Sequence, residues 1–230
     1  MTSNQAEPAR EPLAETFAPG RPGLPRGRTS LPAEEVRAEQ RRRLLRGVMA
    51  AVAEQGYTSV TVSDIVGRAR VSRKAFYDQF SSKEDCFLAA AVRGSVVMFE
   101  HLATMLDSEM TPQEALRTAT RSYLKLCADE PEFAWCLFVE LPAVGHTALK
   151  MRNAGYRQLT KLFADWHAAA RARERGWPPV PKETYAAAVG AVHELVFESV
   201  TGSRDETPPE LEDPIMLLLL ALFRAPPRGA

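Results

Sequence analysis

Ser72, Arg73 and Lys74 put a hydroxyl, a guanidinium and an ammonium on three consecutive positions, with Ala75 next and Tyr77 and Gln79 close behind. These groups bind more readily than they react. Arg forks onto base edges and phosphates, Lys offers a point charge, and hydroxyl and amide groups hydrogen-bond to either. Other chemistries lack their parts. His146 and His193 have no second His or Cys at metal-ligand spacing, so neither a metal nor another cofactor is expected. Cys86, Cys127 and Cys136 are odd in number and form no C-x-x-C pair, which points to buried free thiols in a reducing cytoplasm. No Ser–His–Asp set, carboxylate pair or phosphate loop stands out, so the chain does not read as an enzyme.

The elements that position these groups are helical. After Pro32, Val36, Gln40, Leu44, Leu45, Val48, Met49 and Val52 recur at steps of three and four, the signature of an amphipathic helix. Thr29 or Ser30 would cap its start and Gly56 would end it. Thr61 suits a second N-cap, with Asp64 in the capping-box position and Val62, Ile65, Val66 and Ala69 as the apolar stripe. A tight link at Arg70-Val71-Ser72 leads to a third helix capped by Ser72. Phe76 and Phe80, four apart, anchor it, and Arg73, Lys74, Tyr77 and Gln79 lie on its other face. Ser81 or Ser82 caps the helix that follows. Three short helices with a minimal turn make a helix-turn-helix, whose third helix can lie in a DNA major groove while the second crosses the backbone. Helix N-termini at Thr61 and Lys83 would offer N–H groups to phosphates.

The chain has 230 residues, with 29 basic and 29 acidic side chains, and a net charge of zero. On average that balance argues against a nucleic-acid partner. The distribution reverses the argument. Between Arg21 and Arg46 there are eight arginines against three acids, while the region downstream is slightly acidic. Residues 1–32 read as a tail rich in Pro and Gly. Its Pro25-Arg26-Gly27-Arg28 resembles the core of AT-hook peptides, so Arg26 and Arg28 are candidates for a narrow minor groove; a plain linker is the equal alternative. The Ala-, Pro- and Glu-rich start has no signal-peptide core, and the longest apolar run, Ile215 to Phe223, is short of a membrane span. A cytoplasmic protein without a membrane partner is expected.

The run Thr61 to Val66, then Ala69 to Phe80, then Lys83-Glu84 resembles the DNA-binding domain of TetR/AcrR-type transcriptional regulators over roughly residues 33–88. The resemblance implies phosphate contacts from Tyr77 and Gln79 and base reading by Ser72, Arg73, Lys74 and Ala75. Three positions depart from the family's pattern: Arg70 where Gly is common, Ala75 where Thr is common, and Gln79 where His or another aromatic is common.

The remainder reads as all-helical, with helices at about 112–128, 131–142, 146–175, 183–202 and 210–224. The expected organisation is a tail (1–32), a three-helix DNA-binding domain (33–84) and a helical bundle for effector binding and dimerisation (85–226). Phe99, Tyr123, Trp135 and Phe138 are the candidate pocket lining. Family resemblance makes the last two helices a dimer surface, with Ala188, Val192, Leu195, Leu218 and Leu222 as its candidates. The function expected is a homodimeric repressor released from a palindromic double-stranded DNA operator by a small, apolar effector. The alternatives are an activator, a ligand-independent regulator, or a helical small-molecule-binding protein or enzyme.

Overall fold

The computed structural model describes residues 32–106, 109–202 and 207–224, and every regular element among them is helical. Helix α1 (Ala33–Gln55) starts at Pro32 without a side-chain cap, with Glu34 and Glu35 complementing its dipole. The expected caps Thr29 and Ser30, like Arg26 and Arg28, lie outside the described residues. Gly56 at φ 78° ends the helix in a backbone region that disfavours side chains. Leu44, Leu45, Val48, Met49 and Val52 form its buried face, as the period predicts. Short helices α2 (Val62–Ala69) and α3 (Arg73–Tyr77) follow. Gly47 lets α2 pack closely on α1: a Cβ there would sit 3.0 Å from the Ile65 carbonyl oxygen.

Helix α4 (Lys83–Leu106) joins the two parts of the molecule. Its first half buries Cys86, Phe87, Ala90 and Ala91 with the α1 core, and its second half buries Met98, Phe99 and Leu102 within the bundle. Length and apolarity alone would let it cross a membrane, but these residues pack into protein instead. At Gly94 the ring of Phe133 takes the place of a side chain, within 2.1 Å of where a Cβ would stand.

The bundle adds α5 (Pro112–Asp129), α6 (Pro131–Trp135), α7 (His146–Arg173), α8 (Lys182–Val200) and α9 (Glu212–Arg224). The helix expected over 131–142 is three short pieces. α6 passes into a π turn (Cys136–Glu140) and then a 3₁₀ turn (Leu141–Val144). Pro142 has no N–H, so the α pattern cannot run through it. A second correction concerns the last helix: a 3₁₀ turn (Pro208–Leu211) precedes it, so α9 begins at Glu212. Glu212 receives Arg117 at 2.8 Å and Arg121 at 2.7 Å, tying α9 to α5. Leu124, Trp166, Trp177, Ile215 and Phe223 form a second core at the far end. All three cysteines are free and buried, and burial pushes the Cys86 and Cys127 thiols up to about 12.

Candidate nucleic-acid interface and effector cavity

Local hydrogen bonds build the reading head. The Thr61 N–H donates to Asp64 Oδ2 at 2.9 Å, and the Asp64 N–H donates to Thr61 Oγ1 at 3.3 Å, closing the capping box. Hydrogen bonds donated by the Thr61 hydroxyl, at 2.6 Å, and then by its N–H hold the Asp64 carboxyl below its ordinary range. Arg70 turns the chain at φ 53°, in the left-handed region, and its N–H bonds to the Gly67 carbonyl. A non-glycine residue there costs about 1 kcal/mol. Ser72 Oγ then accepts the Ala75 N–H at 3.0 Å and starts α3.

Phe76 and Phe80 are buried, their ring centroids 5.8 Å apart, and they fix how α3 is turned. Ser72, Arg73 and Lys74 are exposed, and Tyr77 is 53% exposed with its ring edge-on to Phe76. These four share the outer face. Lys74 Nζ rests on Asp78 Oδ2 at 2.9 Å, an exposed pair that a phosphate or base edge can displace at little cost.

Three expected contacts are placed otherwise. Ala75 is buried because it follows the Phe76 side of α3, so its methyl group belongs to the core. Gln79 is partly buried, and its Nε2 is enclosed without a hydrogen-bond partner. Lys83 points inward. Its Nζ donates to the carbonyls of Tyr57 at 2.7 Å, Val60 at 2.8 Å and Thr58 at 3.2 Å, and lies 4.6 Å from the Tyr57 ring centroid. It straps the α1–α2 link to α4, with its donors already used. In exchange the structure brings Arg41 to the head, its guanidinium 4.5 Å from the Phe80 ring centroid. Its neighbours Arg42 and Arg43 pair with Glu39 on their own helix. The arginine run thus hid one exposed cation beside α3, and spacing alone does not distinguish it from the other two.

Two adjoining chambers occupy the bundle. The inner is walled by apolar side chains such as Leu106, Leu116, Phe163 and Ile215. The outer is lined by residues including Val96, Phe99, Phe138, Met151 and Arg152. Tyr123, Tyr156, Leu159 and His193 line both. Burial, and then the nearby Arg152 charge, push His193 down to about 4, so its ring is neutral. Burial raises the Tyr123 hydroxyl well above its ordinary value. Of the expected lining, Phe99, Tyr123 and Phe138 face the chambers. Trp135 does not: its Nε1–H donates to Glu140 Oε1 at 3.2 Å, on the side turned toward the head.

Residues 44–90 match the sequence model of bacterial regulatory proteins of the tetR family. The fold of about four-fifths of the chain agrees with solved structures. The fatty acid degradation regulator FadR from Bacillus halodurans superposes with a TM-score of 0.67 at 18% identity, over 77% of this chain and 96% of that one. A FadR from Bacillus subtilis, solved in complex with stearoyl-CoA, gives 0.66 at 16% identity, over 79% and 98%. A tetR-family regulatory protein from Rhodococcus RHA1 gives 0.64 at 19% identity, over 80% and 96%. No curated protein matches the chain. Residues 44–90 thus resemble a tetR-family segment, and the chain has the fold of these regulators.

The expected dimer residues differ in how far the protomer itself covers them. Ala188 is fully buried within the protomer, and Val192 lines the inner chamber. Leu195 and Leu222 are half-buried against the distal core, and Leu218 is half-buried as well. Exposed instead are Ala186, Ala187 and Gly190 on α8, with Leu217 and Ala221 on α9; Leu217 is 74% exposed. Leu217 and Ala221 stand an i, i+4 step apart, but a helix apolar on all sides does not show from its sequence which stripe faces inward.

Proposed function

We propose that this protein is a DNA-binding transcriptional regulator of the TetR type, a homodimeric repressor working in the cytoplasm. Two copies of α3 read the half-sites of a palindromic operator, and a small, mostly apolar ligand in the chambers releases it. Ser72, Arg73, Lys74 and Tyr77 are the contacts of the head, and α8 with α9 forms the dimer surface. Residues 33–84 act as the reading domain, and 85–226 as the effector and dimerisation domain. Arg26 and Arg28 add minor-groove affinity; deleting residues 1–29 lowers operator affinity and salt slope if so, and leaves both unchanged if the tail is a linker.

The observation that carries this reading is the connection between cavity and head. Leu137, Phe138 and Leu141 line the outer chamber. The same short turns hold the end of α1: Glu140 Oε2 accepts the Tyr57 N–H at 2.8 Å, and the Cys136 thiol donates to the Met49 carbonyl at 3.5 Å. A ligand that moves these turns biases the orientation of the head, which is a population shift between two spacings of the reading helices. The stearoyl-CoA bound to the Bacillus subtilis FadR supports an apolar ligand for this architecture. The test is to select genomic fragments with the purified protein and follow their mobility shift at two salt concentrations, with and without candidate ligands. Failure to bind DNA even at low salt would remove the reading.

A further inference from the structure

The chambers differ in chemistry. No charged side chain lines the inner one, and Arg152 alone does so in the outer. Arg152 is half-buried and makes no ion pair among the described residues. Its Nη2 donates to the Tyr156 hydroxyl at 3.1 Å, and its guanidinium lies 4.8 Å from the Tyr156 ring centroid. Tyr156 lines both chambers, so the cation is held beside the boundary between them. Burial raises the Tyr156 hydroxyl and the Glu194 charge adds a smaller push, but Glu194 forms no bridge to Arg152 among the described residues. His193, neutral at pH 7, adds no second positive charge.

A partly desolvated guanidinium facing an apolar cavity lacks a counter-ion, and its planar fork suits a carboxylate or phosphate. Resting on the reading of these chambers as the effector site, we propose that the ligand is a single-tailed amphiphile with an anionic head. Its alkyl chain fills the inner chamber, and its carboxylate or phosphate pairs with Arg152 in the outer one. Four of the Arg donors remain after the bond to Tyr156, enough for a bidentate contact. The exposed valines Val92 and Val96 line the outer chamber and give the tail an apolar approach from solvent.

The test uses delipidated full-length protein and calorimetric titration with hexadecanoate, hexadecanol and palmitoyl-coenzyme A. At least one anionic probe is expected to bind ten-fold or more tightly than hexadecanol. Arg152→Gln is expected to erase that ratio while leaving hexadecanol affinity within about three-fold, and Arg152→Lys to retain part of it. Tighter binding of hexadecanoate than of palmitoyl-coenzyme A identifies a free carboxylate as the head, and the reverse order a phosphate-bearing one. Equal affinity for the alcohol and both anions, no binding of any probe, or a ratio that survives Arg152→Gln would each overturn the proposal. Operator release measured with the same probes separates the two readings. Hexadecanol releasing the operator while the anions do not sinks the anionic head but keeps the effector site. Anions that bind through Arg152 without releasing the operator keep the ligand class and remove the repressor reading.

Discussion

Replacing Lys83 by Met tests whether a cation at the start of α4 holds DNA or holds the protein. The geometry assigns it to the protein: three carbonyl oxygens lie 2.7, 2.8 and 3.2 Å from Nζ. Hydrogen bonds from a charged donor contribute about 1.5–3 kcal/mol each when buried. Lys83 is half-buried, so water competes for the ammonium and roughly 1 kcal/mol per bond is the fairer figure. Met keeps most of the stem's packing. The expected loss is therefore about 2–3 kcal/mol, which lowers the melting temperature by about 5–10 °C at this chain size. DNA binding gives the opposite control. A phosphate contact contributes about 0.9 to the slope of log affinity against log salt, so a phosphate-binding Lys83 would remove about one unit per head. Thermal melts and operator titrations at three salt concentrations decide it. The expected result is a lower melting temperature with an unchanged slope. An unchanged melting temperature with a slope reduced by about one would refute the strap.

Lys74→Glu should weaken operator binding at least ten-fold without changing the melting temperature, because Lys74 is exposed and only loosely paired with Asp78; retained binding would show that α3 does not read DNA. Glu140→Gln keeps shape but loses the charge that accepts Tyr57 N–H and Trp135 Nε1–H. It should cost about 1–2 kcal/mol in a denaturant melt and change the ligand concentration needed for operator release, and wild-type values of both would contradict the coupling. Gly94→Ala should destabilise by about 1–3 kcal/mol, because a Cβ there collides with the Phe133 ring although alanine favours helix; a more stable variant would mean that the ring moves freely. His193 is held down to about 4 in the fold against an ordinary 6.5. Between these values the unfolded chain binds the proton that the folded chain refuses, so stability is flat above about 6.5 and falls as pH drops toward 4. Melts from pH 7.5 to 5 should show this fall, and His193→Gln should reduce it; an identical slope in the variant would dismiss His193 as its source.

Much of the head could be read from residue order. Thr61 with Asp64 and the pair Phe76–Phe80 predict caps and anchors that the structure reproduces, because these contacts span only three or four residues. Arg70 occupies the left-handed turn position where the family commonly has Gly, and the turn forms nonetheless. Contacts across greater separations were not legible. Lys83 meets carbonyls 23 to 26 residues away, and Glu140 meets Tyr57 across 83 residues. Nothing local to either residue marks these partners.

The bundle divides the same way. Period and proline positions predict its helices to within about two residues, except where Pro142 breaks the α pattern and a 3₁₀ turn precedes α9. The segregation of arginines toward the N-terminal side was likewise a property of the sequence, and it already outweighed the zero net charge. Which aromatic side chains face a cavity, which stripe of α8 is buried, and which cation lacks a counter-ion were decided by the tertiary structure. Local pattern sets a helix and its polar side, but a helix apolar around most of its surface is oriented only by the neighbours that cover it. Trp135, Ala188 and Arg152 have their roles from that packing.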